Sequence, residues 1–236
     1  MCAPPCAPYI ASSFFLLNHQ HAPESLRRCY SRGDLKRLDV FKVRFGPFAR
    51  YGFIPFGGRS TAIKLSTGDV WVLASTPLTV DTKETLDKMG PVKYIMAGDF
   101  VHHLFLGEFK KAYPQAKVIG VDGLGAKKKA EGLTMDGEYG KDPADTRYGF
   151  EDEIKSCYFS GFQNKDVAFC HVSSKSLIVA DLFFNLPPNE QYSKSKPPFK
   201  LPFMGTLNWH SSILKSMLYS LGKDKECVIS LPVVID

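Results

Sequence analysis

Two adjacent histidines, His102 and His103, stand in "YIMAGDFVHHLFLGEFKKAYP", where an apolar strand-like run gives way to a helix-like one. A neutral imidazole binds divalent metals through a ring nitrogen, and the end of a strand is a place where such side chains converge. A zinc or iron site needs about three or four N, O or S donors at roughly 2.0–2.3 Å. Two carboxylates are placed to join the pair. Asp99 precedes His102 by three residues, and Asp181 closes the apolar run "SLIVAD". His102, His103 and Asp181, with Asp99 in support, are the candidate ligands of one divalent metal: zinc, iron or manganese.

Each of these residues also has a reading without a metal. His102 shares a helical stripe with Leu106, Phe109 and Tyr113, which would make it a packing residue. His103 lies beside that stripe and is the more available of the two. Asp99 can cap the helix by accepting backbone N–H bonds, and Asp181 can close a turn before "LFFN". His171, next to a hairpin turn, is expected to face solvent, and His210 to lie on the surface of a helix.

The elements that must position these groups follow from periodicity and breakers. "STAIKLSTGDVWVLAS" reads as a hairpin about a Gly-containing turn. "VDTKETLDKMG" reads as a helix, capped by Asp81 and stopped by Gly90. "VKYIMAG" and "AKVIGV" are short apolar runs of buried-strand type, and "DGLGAKKKAEGL" a turn with a short helix whose three lysines form a solvated face. "LTMDGEYGKDPADTRYGFEDE" reads as a polar connection. Three β-rich runs follow, "IKSCYFSG", "DVAFCHVSS" and "KSLIVADLFFN", the last two as a hairpin about Ser173, Ser174 and Lys175. "TLNWHSSILKSMLYSLG" is an amphipathic helix. Strands alternate with helices early and cluster as hairpins later, the pattern of an α/β layered domain with mixed sheets.

Composition narrows the function class. Hydrophobic residues make up 44% and charged residues 23%, as in folded globular domains, and no apolar run reaches the roughly 18–20 residues of a membrane span. The net charge of +6 is uneven. Residues 1–50 hold eight basic and three acidic side chains, so nearly all the excess lies in that segment, and nucleic acid is not an expected partner of the near-neutral remainder. Residues 1–44 read as a poorly ordered basic leader and 45–236 as the domain. The six cysteines show no paired zinc spacing; Cys157 and Cys170 sit in strand-like runs as buried reduced thiols. A reducing, cytoplasmic location fits, with an organelle address as the alternative reading of the leader. No G-x-x-x-x-G-K-[ST], G-x-G-x-x-G or G-x-S-x-G is present, which removes support for nucleotide-phosphate cradles and for the serine elbow of α/β-hydrolases.

The run from "GGRSTAIKLSTGDVWVLASTPL" through "GPVKYIMAGDFVHHLFLGEFKKAYPQAKVIGV" to "LIVADLFFNLP" resembles an uncharacterised family, a domain of unknown function, of the metallo-β-lactamase-like superfamily. The resemblance covers about residues 45–221 and is most specific at "HHLFLGEF" and "ADLFFN". It implies an αββα sandwich, here shortened at the C terminus. In that superfamily an H-x-H-x-D-H motif opens a helix, and a later strand-final Asp bridges two metals. Carried over, the first two histidines fall on Gly98 and Phe100, the Asp on His102, the final His on His103 and the bridging Asp on Asp181. "SGFQNKDVAF" has no histidine where the superfamily has its next ligand. The resemblance therefore implies a metal-site-degenerate, non-catalytic relative that binds a small molecule or a protein. The alternative is a hydrolase of an ester, thioester or amide that uses a metal-activated water.

Overall fold

The structure is a computed structural model. It describes residues 58–182, the strand backbone at 41–46, 49–50 and 54–55, and residues 212, 216 and 219–222. His210, most of the expected C-terminal helix and residues 1–40 lie outside the described residues.

Strands β1 (Phe41–Gly46), β4 (Gly58–Lys64), β5 (Val70–Leu73), β6 (Val92–Met96), β7 (Lys117–Val121) and β8 (Gly137–Tyr139) form one sheet in the order β1-β4-β5-β6-β7-β8. The pairings β1–β4 and β4–β5 are antiparallel, and those from β5 to β8 parallel. The expected leader boundary at residue 44 falls inside β1, which pairs along its length with β4. A two-stranded ribbon joins β2 (Ala49–Arg50) to β3 (Ile54–Pro55). The second main sheet is antiparallel, in the order β11-β10-β9, from β9 (Ile154–Phe159), β10 (Asp166–His171) and β11 (Ser176–Ile178). The expected hairpin at 61–75 is present, and so is the one about Ser173, Ser174 and Lys175, where residues 169–171 pair with 176–178.

All four residues of β5 are buried, as a strand covered on both faces requires. Trp71 faces the second sheet and meets Phe169 edge-on, ring centroids 5.1 Å apart. Val70 and Val72 alternate to the other face. One core holds both sheets and the helices α1 (Val80–Met89), α2 (Leu106–Ala112) and α3 (Leu124–Lys129).

Several expectations change. The side-chain cap of α1 is Thr79, not Asp81: Thr79 has extended backbone, and its hydroxyl accepts from the Thr82 N–H at 3.3 Å. Asp81 sits in the first turn, where a negative charge suits the helix dipole. The "polar connection" after α3 contains β8, a three-residue strand added in parallel to β7. A run that short carries no readable period. The lysine run is not wholly solvated, because Lys128 is 1% exposed and its ammonium reaches Glu131 at 2.7 Å. Cys157 and Cys170 are half-buried thiols on neighbouring strands.

Candidate functional site

Residues 98–105 leave the end of β6 as a loop, and α2 starts only at Leu106. The His102 stripe expected from helical spacing is therefore absent at its first member. Asp99 builds the loop. Its Oδ1 accepts from the backbone N–H groups of Val101 (2.8 Å) and His102 (2.6 Å), and its Oδ2 lies 2.8 Å from His102 Nδ1. Asp99 thus caps a turn, while α2 has no side-chain cap. From the chain leaving β11, Asp181 brings Oδ1 to 4.0 Å from His102 Nε2. The donor atoms of Asp99, His102 and Asp181 all lie within 4.8 Å of one another, and among the described residues this is the group that can hold a metal ion.

The two histidines exchange the places that spacing suggested. His103 is the buried one, with no hydrogen-bond partner at Nδ1 among the described residues, and it lies outside the carboxylate cluster. Burial lowers its pKa, and the charges of Lys128 and Lys127 on α3 lower it further. His102 is the more open and stands among the acids. Burial opposes its charged form. The hydrogen bond and charge of Asp99, followed by the charges of Asp181 and Asp166, outweigh this and raise its pKa to about 9.

Two residues that sequence reasoning passed over hold Asp181 in place. Asn164 Nδ2 donates to Asp181 Oδ2 at 2.5 Å, and the Asn164 carbonyl accepts from the Phe100 N–H at 2.8 Å. Asp166, fully buried at the start of β10, accepts at Oδ2 from the N–H groups of Asp181 (2.6 Å) and Leu182 (3.1 Å). Its Oδ1 has no hydrogen-bond partner among the described residues. Burial and the charge of Asp99 push its carboxyl well above the usual range. The available signal was the polar triplet Asn164-Lys165-Asp166 opening an otherwise apolar strand.

Positions 98 and 100 have no metal donor. A Cβ at Gly98 would meet Leu73 Cδ1 at 3.3 Å and Ala180 Cβ at 3.4 Å. The Phe100 ring packs beneath two ammonium groups, Lys127 at 4.7 Å and Lys165 at 5.9 Å from its centroid. His171, expected in solvent, is buried at the far end of β10. The N and O donors of Asp99, His102 and Asp181 fit, by type, one zinc, iron or manganese ion.

No curated protein matches the sequence. Solved structures that align with this chain include metallo-β-lactamases. The enzyme from Pontibacter korlensis has 10% identity over 83% of this chain and 94% of its own, at a TM-score of 0.49. IND-7 has 15% identity over 77% and 93%, at 0.48, and TMB-1 has 13% over 63% and 69%, also at 0.48. Among the described residues, no helix is long and apolar enough to cross a membrane. Residues 54–197, more than half of the sequence, match the family described as a domain of unknown function (DUF4336), and the chain belongs to that family.

Proposed function

We propose that this protein is a binding member of its family, for a small molecule or a protein ligand, in which a metal site has been reworked into an internal hydrogen-bonded cluster. The Asp99–His102 pair carries the reading. Asp99 uses Oδ2 on the imidazole and Oδ1 on two backbone N–H groups, so both of its oxygens already serve the protein. A catalytic zinc needs three protein ligands and an open position for water. Gly98 and Phe100 add no donor to that count. A charged His102 ring between Asp99 and Asp181 supplies the positive charge that a cation would bring to the same place.

The convergence of three donors within 4.8 Å favours a second reading, a metal-dependent hydrolase of an ester, thioester or amide. Asp99, His102 and Asp181 would hold the ion, which would lower the pKa of a bound water. Asn164 and Asp166 would keep Asp181 aimed at it. Metal content separates the two. The full chain is produced with zinc, iron and manganese supplied, beside His102→Ala and Asp181→Asn. Metal far below one ion per chain in all three supports the binding reading. Near-stoichiometric metal in the parent that falls in both variants overturns it in favour of the hydrolase.

A further inference from the structure

At the opposite end of β10 and β11 from Asp166 and Asp181, the hairpin turn carries a second polar cluster. The His171 ring is buried at 1% exposure, while Ser173 and Ser174 are exposed in the turn. His171 Nδ1 lies 2.7 Å from Ser174 Oγ, and Nε2 lies 3.1 Å from Ser173 Oγ. The protons can be placed. Ser174 gives its own O–H to Ser176 Oγ at 2.9 Å, so its oxygen accepts from the ring. Nδ1 therefore carries the ring proton, and in a neutral imidazole Nε2 is then the acceptor. The Ser173 O–H is the donor that meets it.

The surroundings suit a base. Burial lowers the His171 pKa and keeps the ring neutral near pH 7; the Glu153 charge acts in the opposite sense and favours the imidazolium once it forms. Glu153 is fixed beside the hairpin. Its carboxylate accepts from the Ser66 N–H at 3.0 Å and the Ser66 hydroxyl at 2.9 Å, and its carbonyl accepts from the Val172 N–H at 2.9 Å. A nucleophile, a base within hydrogen-bond reach and a third group fixing the base's tautomer is the arrangement that activates a serine.

We propose that Ser173 is an acyl-acceptor site for activated esters, with His171 as its general base and Ser174 as the group that orients the ring. In the step, a bond forms between Ser173 Oγ and the acyl carbon, and the bond from that carbon to the leaving oxygen breaks. The Oγ proton passes to His171 Nε2 and on to the departing phenolate. The products are acyl-Ser173 and a phenol. Ser173 is exposed, so the donor arrives from solution. The site is independent of the Asp99–His102 cluster and of any metal there.

The test treats the full chain with p-nitrophenyl acetate, follows phenolate release, and locates the acetyl group by peptide mass spectrometry. The expected result is one acetyl group per chain on Ser173, formed faster as pH rises through the His171 titration and level above it. His171→Gln lowers the rate at Ser173 about 100-fold, the low end of what a positioned base contributes. Ser174→Ala, at an exposed position, lowers it in a chain that still folds, so the test stands even where His171→Gln fails to fold. Acetylation confined to lysines, or a Ser173 rate that is independent of pH and unmoved in Ser174→Ala, overturns the proposal.

Discussion

Asp166 and Asp181, fifteen residues apart, are joined by a 2.6 Å hydrogen bond from the Asp181 backbone N–H to Asp166 Oδ2. The bond ties the start of β10 to the chain leaving β11, and so fixes where the Asp181 carboxylate can point. It also sets up a test of what a buried carboxyl does here. The folded pKa of Asp166 lies well above its ordinary value. The charge-burial cost therefore appears as pH rises from about 3.9, the unfolded value, through the folded one. Asp166→Asn keeps an acceptor for the two N–H groups and removes the charge. Its melting temperature at pH 7.5 is predicted to equal or exceed that of the parent, with the difference shrinking toward pH 4.5. Asp166→Ala leaves two N–H groups without their acceptor and is predicted to cost about 2–3 kcal/mol. An Asn variant melting well below the parent at neutral pH would show that the folded protein uses the negative charge.

His171 gives a pH dependence of opposite sense. Its folded pKa is below the ordinary histidine value because the ring is buried. Its contribution to stability is complete above about pH 6.5. It is lost as pH falls through the folded pKa, since the unfolded chain takes up a proton that the folded ring resists. Urea midpoints at pH 7.5 and 5.5 are predicted to drop more for the parent than for His171→Gln. Equal drops would place the ring in solvent.

Two glycines should respond oppositely to alanine. Gly90 ends α1 at φ +148°, and a Cβ there would come 2.3 Å from the Gly68 carbonyl oxygen. Gly90→Ala is predicted to destabilise by more than about 1 kcal/mol. Gly107 lies inside α2 with nothing among the described residues within 4 Å of its Cβ position. Gly107→Ala should stabilise by about 0.5–1 kcal/mol, read as a rise in Tm.

Trp71 joins the two sheets. It is fully buried, and it meets Phe169 at 5.1 Å and Phe150 at 6.2 Å, both edge-on. Trp71→Ala is predicted to cost about 3–5 kcal/mol by denaturant titration. Trp71→Phe should cost less, because Nε1 has no hydrogen-bond partner to lose among the described residues. Equal costs would mean that ring packing is not what the position supplies.

Much of the fold was legible because its signals are local. The β4–β5 turn, the Gly90 stop and the apolar runs of β6 and β7 all lie within windows of a few residues. What escaped was set by partners distant in sequence. β8 has three residues and exists because β7 offers it an edge. Asn164 and Asp166 acquire a role only when β10 lies beside the end of β11.

The sequence by itself determined the mixed α/β class, the family resemblance, and the two chain segments, around Asp99 and around Asp181, that the fold brings together. Residue type and periodicity are enough for that. Only the tertiary structure decided which histidine stands beside the carboxylates. The loop after β6 delays α2 until Leu106, and Asp99 binds the His102 N–H and ring together. That turns His102 toward the carboxylates and leaves His103 buried among the charges of α3. In a pair of adjacent identical residues, spacing cannot choose between the two; the direction of a short loop and the hydrogen bonds that hold it can.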